Sequence, residues 1–218
     1  MMEFGIEVAG ETLQLHGERA VFWPRLRWLL LADVHFGKGA VLRRAGVALP
    51  TGQTLDDLQR IDRLIAHYQP QRLVVLGDLV HGRAHHDTPW VADVQRWRER
   101  HAALAMSLVV GNHDRHMDAG ILGFERIDEV LCEGPLALGH EPTRYPGHYL
   151  LAGHVHPGVN VRDGWRKHRL PAFRFGRSVA LLPAFGRLTG LYEEPPRPSE
   201  RIVAVTPAGL LPLATRAR

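Results

Sequence analysis

The chain has 218 residues, 45% of them hydrophobic, with a formal net charge of +4 and a pI near 9.7; this favours one domain over residues 1–218 with a sizeable core. Its single cysteine, Cys132, excludes an internal disulfide and a paired-thiolate metal site. The N-terminal "MMEFGIEVAGE" lacks a basic stretch followed by a long apolar one, and no apolar run approaches the ~18 residues of a spanning helix, so the expectation is a soluble, cytoplasmic protein.

In chain order, "IEVAGETLQLHGERAVFW" (6–23) reads as an opening hairpin. Short apolar runs follow, each ending in glycine or polar residues: "RWLLLADVH" (27–35), "RLVVLGD" (72–78) and "SLVVGNHD" (107–114). Their length and Val/Leu content suit buried strands. Between them, "TLDDLQRIDRLIAHY" (54–68) has helical spacing, with Leu55, Leu58, Ile61, Leu64 and Ile65 on one face, and "WVADVQRWRERHAAL" (90–104) repeats it with Val91, Val94 and Trp97. Strand, helix, strand, helix, strand implies parallel pairing with right-handed crossovers.

Beyond residue 125 the pattern becomes strand-like pieces separated by Gly and Pro, among them "PLALGHE" (135–141), "YLLAGHVH" (149–156), "SVALLPAFG" (178–186) and "RIVAVTPAGLLPL" (201–213). The second half is therefore read as mostly β, a second sheet packed on the first. "EEPPRPSE" (193–200) reads as a surface loop.

Five of the apolar runs end in side chains able to hold a metal: Asp33 and His35; Asp78; Asn112, His113 and Asp114; His140; His154 and His156. Residues two apart on an extended strand end point the same way. A lone His or Asp after a strand is most often a solvated turn residue. A set of this type at successive strand ends converges where open α/β sheets bind their ligands, and its oxygen and nitrogen donors suit hard or borderline divalent ions. His16, His67, His101 and His168 have no partner at useful spacing and are read as surface or packing residues.

Taken together and in this order, D-x-H (33–35), G-D-x-x-H (77–81), G-N-H-D (111–114), the lone His140 and G-H-x-H (153–156) resemble the calcineurin-like metallophosphoesterases. "LADVHFGKGAVLRRAGVALPTGQT" (31–54) and "LPAFGRLTG" (182–190) further resemble their DNA ligase-associated branch. The resemblance implies an α/β fold, a four-layer αββα sandwich of two mixed β-sheets flanked by helices. It implies one metal held by Asp33, His35, Asp78 and His156 and a second held by Asp78, Asn112, His140 and His154, with Asp78 bridging. The ions would be two divalent metals, manganese first, with iron or zinc as alternatives. A metal-bridging hydroxide would attack phosphorus in line, His113 would pass a proton to the leaving oxygen, and Asp114 would fix the tautomer of His113.

Lys38, Arg43, Arg44, His81 and Arg83 follow the ligands as candidate substrate contacts. His81 could equally support the ligands or satisfy a local turn, and the basic residues could equally be a solvated loop, as could His85 and His86. The implied activity is phosphodiester hydrolysis by a DNA endonuclease of repair, associated with a ligase, a helicase and an exonuclease. The arginine-rich charge suits such a polyanion, although coding bias yields the same balance. A phosphomonoesterase, a nucleotide phosphodiesterase or a protein phosphatase would use the same site, whereas a non-catalytic scaffold would have lost ligands, and none is missing.

Overall fold

Two sheets divide the chain near residue 130 in a computed structural model, which describes residues 2–82 and 88–213. The first sheet runs in sequence order through β1 (Glu3–Val8), β2 (Glu11–His16), β3 (Ala20–Trp23), β4 (Trp28–Leu31), β5 (Arg72–Leu76), β6 (Ala105–Val109) and β7 (Glu125–Ile127). Its first four strands are antiparallel, as the opening hairpin requires, and β4 to β7 are parallel. The second sheet holds β8 (Leu131–Glu133), β9 (Leu136–Gly139), β10 (Tyr149–Ala152), β11 (Pro157–Asp163), β12 (Arg166–Phe175), β13 (Val179–Leu181) and β14 (Tyr192–Glu193), in the order β14-β11-β12-β13-β10-β9-β8. The hairpin of β15 (Arg201–Thr206) and β16 (Gly209–Leu213) joins it through β12.

Alternation along the central strands builds two cores at once. Leu29, Leu31, Leu73, Val75, Met106 and Leu108 face the helices α2 (Gln53–Tyr68) and α3 (Pro89–Arg100), which follow the short α1 (Lys38–Arg44). Leu30, Val74, Leu76 and Val109 face the other way, onto Leu136, Leu138, Leu151, Phe173 and Phe175 of the second sheet. Strands buried on both faces read as continuous apolar runs, so the sequence marked them clearly. The result is the expected sandwich of two mixed sheets with flanking helices. On the outer face of the second sheet the described residues place no helix; Val130 and Tyr145 pack there on the small patch of Ala137, Leu150 and Ala152.

One expectation about local structure is corrected. Leu55 is exposed, and the inner face of α2 buries Asp57 and Arg60 beside Leu58, Ile61 and Leu64. Arg60 can be buried because each of its nitrogens finds an acceptor: Nε meets Glu18 at 2.6 Å, Nη1 meets Asp57 and the Phe185 carbonyl at 2.8 Å each, and Nη2 meets the Glu18 carbonyl at 2.9 Å. The guanidinium also lies 3.9 Å from the centre of the Phe185 ring, a cation–π geometry.

The stretch 193–200 is a surface loop, as expected, with residues 195–199 exposed, and it is anchored at both ends. It begins in β14, lends the Glu194 and Pro195 carbonyls to Arg174, and ends at buried Glu200, whose carboxylate pairs with Arg174 at 2.6 and 2.9 Å. Removing one partner of a buried pair strands a charge and costs about 3–5 kcal/mol. Glu200→Gln is therefore expected to lose about 3 kcal/mol in a urea titration, and Arg174→Met combined with Glu200→Leu should recover part of that loss.

Candidate metal centre

The parallel strands β4, β5 and β6 of one sheet and β9 and β10 of the other end on a common rim, and the motif residues occupy the loops that leave it. Backbone bonds hold these loops in register: Asp33 N to Gly77 O (3.1 Å), His35 N to Asp78 O (2.9 Å) and Phe36 N to Leu79 O (2.8 Å). From the far end of the chain, Phe185 N reaches Ala32 O at 2.7 Å and Gly186 N reaches Asp33 O at 3.1 Å. The two stretches that marked the narrower resemblance are thus bonded to each other.

The ligand residues do not sit on extended strand ends, and that expectation is corrected. Asp33, His35, Asp78, His154 and His156 all have positive φ, between 51° and 67°, and they supply five of the ten non-glycine residues in this region among those described. The left-handed conformation is costly for most residues and is best tolerated by Asp, Asn and His. Its concentration here is the signature of a functional site. Residues 33 and 35, and 154 and 156, still aim their side chains to one centre, but through this winding and not through a strand's alternation.

The side chains fall into two groups. His154 Nδ1 lies 3.0 Å from His140 Nε2 and 3.1 Å from Asn112 Oδ1, and His140 Nε2 lies 3.1 Å from the same Asn112 oxygen. His35 Nε2 lies 3.3 Å from His156 Nε2, which in turn is 3.5 Å from Asp33 Oδ1. Asp78 stands between them, with Oδ1 3.5 Å from His140 Nε2 and Oδ2 3.8 Å from His35 Nε2. Donor atoms 3.0–3.5 Å apart match neighbouring ligands on one ion with bonds near 2.1 Å. Two carboxylates, one amide and four imidazoles with no sulfur fit hard or borderline divalent ions.

Burial grades this constellation from floor to mouth. Asp33, His35, Asp78 and His140 are each at most 5% exposed, while Asn112, His113 and His154 are exposed. Burial, reinforced by the Lys38 cation and the neighbouring imidazoles, pushes His35 down to about 2, and the same causes push His81 to about 4. Both rings are neutral near pH 7, with lone pairs free to bind a cation. His140 has its orientation set by Nδ1, which lies 3.1 Å from the Leu76 carbonyl; this leaves Nε2 for the centre, the usual way a ligating histidine is fixed.

His113 lies at the mouth, its Nε2 4.0 Å from Asp78 Oδ2 and its ring packed against His81 at 4.6 Å with the two planes tilted by 30°. Asp114 does not orient it, and that expectation is corrected. This fully buried carboxylate accepts from the backbone amides of Val80 (3.2 Å) and Gly111 (3.0 Å), and no hydrogen bond joins it to His113 among the described residues. It laces the 111–114 loop to the loop after β5, while the His113 ring is turned the other way, toward Asp78 and His81. The support of His113 comes from His81, which also places Nδ1 3.3 Å from His35 Nδ1.

Of the candidate substrate contacts, Lys38 is half-buried at the start of α1 and lines a cavity with His35, Thr54, Arg187 and Thr189. Arg43 is committed to Pro50 O (2.7 Å) and Gln53 (2.8 Å) and, with Arg44, lines the adjoining groove. Arg83, His85 and His86 lie outside the described residues. Arg187 and Thr189 were assigned no role from the sequence, although both lie in the 182–190 stretch that carries the narrower resemblance. The glycines of G-D-x-x-H and G-N-H-D make room for the ligands: a Cβ on Gly77 would meet His140 Nδ1 at 2.1 Å, and one on Gly111 would meet Asp78 Oδ1 at 2.3 Å and Asp78 N at 2.4 Å.

A family model described as calcineurin-like phosphoesterase matches residues 26–154. The crystal structure of Pseudomonas putida nuclease MPE is similar to this chain with 38% identity and a TM-score of 0.85, over 97% of this chain and 100% of that one. Yfce, a phosphoesterase from E. coli, is similar at 18% identity with a TM-score of 0.44, over 84% of this chain and 90% of that one. No curated protein matches the chain.

Because the Gly111 clash would involve backbone as well as side chain, Gly111→Ala is expected to cost about 1–3 kcal/mol through overpacking. Urea unfolding of the metal-free variant beside the metal-free parent measures it.

Proposed function

The chain belongs to the calcineurin-like phosphoesterase family, and from that membership we propose that it cleaves phosphodiester bonds of DNA with two divalent metal ions. Asp33, His35, Asp78 and His156 would hold one ion, and Asp78, Asn112, His140 and His154 the other. The observation that carries this reading is Asp78: its two oxygens face two separate groups of donors, at 3.5 Å from His140 and 3.8 Å from His35. An anion between two cations offsets their repulsion, which is what a shared carboxylate provides. Manganese is the proposed metal, in keeping with an oxygen and nitrogen donor set without sulfur.

Such ions would supply Lewis acidity, drawing charge from phosphoryl oxygens and lowering the pKa of water toward neutrality. The chain's own residues do the rest. Asp78 Oδ1 accepts the His113 amide at 2.9 Å and so ties the position of that histidine to the ligand it serves. His113, exposed at the mouth and packed against His81, holds a proton at the ring nitrogen nearest the centre for the departing oxygen. Lys38 brings a cation beside the carboxylates of Asp33 and Asp78, where a substrate phosphate would replace burial by charge pairing.

DNA as the substrate is supported by the net charge of +4 carried almost wholly by arginine and by the similarity to a protein described as a nuclease. A place in DNA repair, beside a ligase, a helicase and an exonuclease, rests on the two stretches at 31–54 and 182–190, which meet through the Phe185 and Gly186 amides. The direct test is hydrolysis of bis(p-nitrophenyl) phosphate and of single- and double-stranded DNA by EDTA-stripped protein reloaded with manganese. Cleavage of the small diester without cleavage of DNA would remove the nuclease reading and leave a phosphoesterase.

Two variants probe the roles separately. Asp78→Asn is expected to leave well under half of the parent's metal content after gel filtration, read by elemental analysis; full occupancy of both positions contradicts the shared carboxylate. His113→Ala is expected to keep its metal and lose about 10²–10⁴ in turnover, so a variant with unaltered turnover removes the acid role.

A further inference from the structure

The hairpin of β11 and β12 starts at Pro157, the residue after His156, and carries an exposed tryptophan at its far end. Trp165 is 88% exposed, at the turn between Asp163 and Arg166, and the Arg166 guanidinium lies 5.1 Å from its ring centre. At ~3.3 Å per residue, the turn stands about 20 Å from Pro157. The register opposes Arg162 to Lys167 and Val161 to His168, and residues 162 and 164–169 are exposed. Asp163 is the single acidic residue in 157–175, against Arg162, Arg166, Lys167 and Arg169 on the exposed part of the hairpin.

A second exposed aromatic marks the root. Tyr192 of β14 is 55% exposed, pairs with Pro157, and donates its amide to the His156 carbonyl at 2.9 Å. Beside it, Glu193 holds Arg169 at 2.5 Å and accepts from Asn160, which braces the base of the hairpin. An aromatic at the root, an aromatic at the tip and basic side chains between them make the composition by which proteins hold single nucleic-acid strands: rings stack on bases while cations follow phosphates.

We propose that this hairpin is the strand-binding arm of the protein, with Tyr192 and Trp165 stacking on unpaired bases of the nucleic acid whose scissile phosphate sits at the metal centre. The inference rests on the nuclease reading above. It predicts that kcat/KM for oligonucleotides, relative to that for bis(p-nitrophenyl) phosphate, rises with oligonucleotide length until the strand reaches the tip. Trp165→Ala should lower this ratio about tenfold for a dodecamer, through KM and not kcat, as expected for loss of one base stack, with a smaller loss for shorter oligonucleotides. Trp165→Phe, which keeps a ring at the tip, should stay within about threefold of the parent, and this restoration separates stacking from a folding defect. A Trp165→Ala protein whose ratio equals the parent's at every length overturns the arm and leaves the tip to a protein partner. A parent that hydrolyses the small diester but no oligonucleotide instead removes the nuclease reading, and the arm with it.

Discussion

Seven lone-pair-bearing side chains crowd into one small volume, and the rest of the structure is arranged to keep them there. Two carboxylates at most 3% exposed, Asp33 and Asp78, lie among four imidazoles and an amide whose acceptor atoms approach to 3.0–3.5 Å. Without a cation such a cluster repels itself and forfeits solvation. The backbone meets part of the cost by donation: the His154 amide reaches both oxygens of Asp33 at 3.0 Å, and the His113 amide reaches Asp78 Oδ1. The loops carrying His113 and His154 therefore stabilise the carboxylates of two others, and the two sheets are coupled through the site as well as through their core.

That coupling explains distant packing. The Arg60 network grips the Phe185 carbonyl from α2 while the Phe185 and Gly186 amides bond the carbonyls of Ala32 and Asp33. The buried charge of α2 thus bears on the first metal-ligand loop through one peptide segment. Asp114 does the same from the other side, spanning the loops after β5 and β6. Buried polar groups are kept when fully satisfied and unique in geometry, and here both fix the relative height of loops that carry ligands.

The strands and the motif residues were legible because their signals are local. Apolar runs such as 72–76 and 149–152 are buried on both faces, and Asp33, Asp78 and His140 directly follow or closely trail their strands. What escaped was nonlocal or conformational. Leu55 fits the helical period but faces water, because Glu18 and Phe185 from elsewhere in the chain make the inner face of α2 suitable for Arg60. Asp114 stands next to His113 in sequence yet serves Val80 and Gly111. The pairing of residues 158–163 with 166–171 was hidden by Pro157, Gly164 and Pro171, each of which reads alone as a breaker of regular structure.

The left-handed winding of Asp33, His35, Asp78, His154 and His156 also limits what could replace them. The residues that tolerate this backbone best are glycine, asparagine, aspartate and histidine, and of these the last three carry a side chain that can coordinate. Glutamate, cysteine or threonine would have to meet the conformational penalty before any question of metal chemistry arose. The fold therefore restricts the vocabulary of its own coordination sphere, so that drift at these five positions is steered toward oxygen and imidazole donors and away from thiolates, and the preference for hard and borderline ions is written into φ before it is written into side chains.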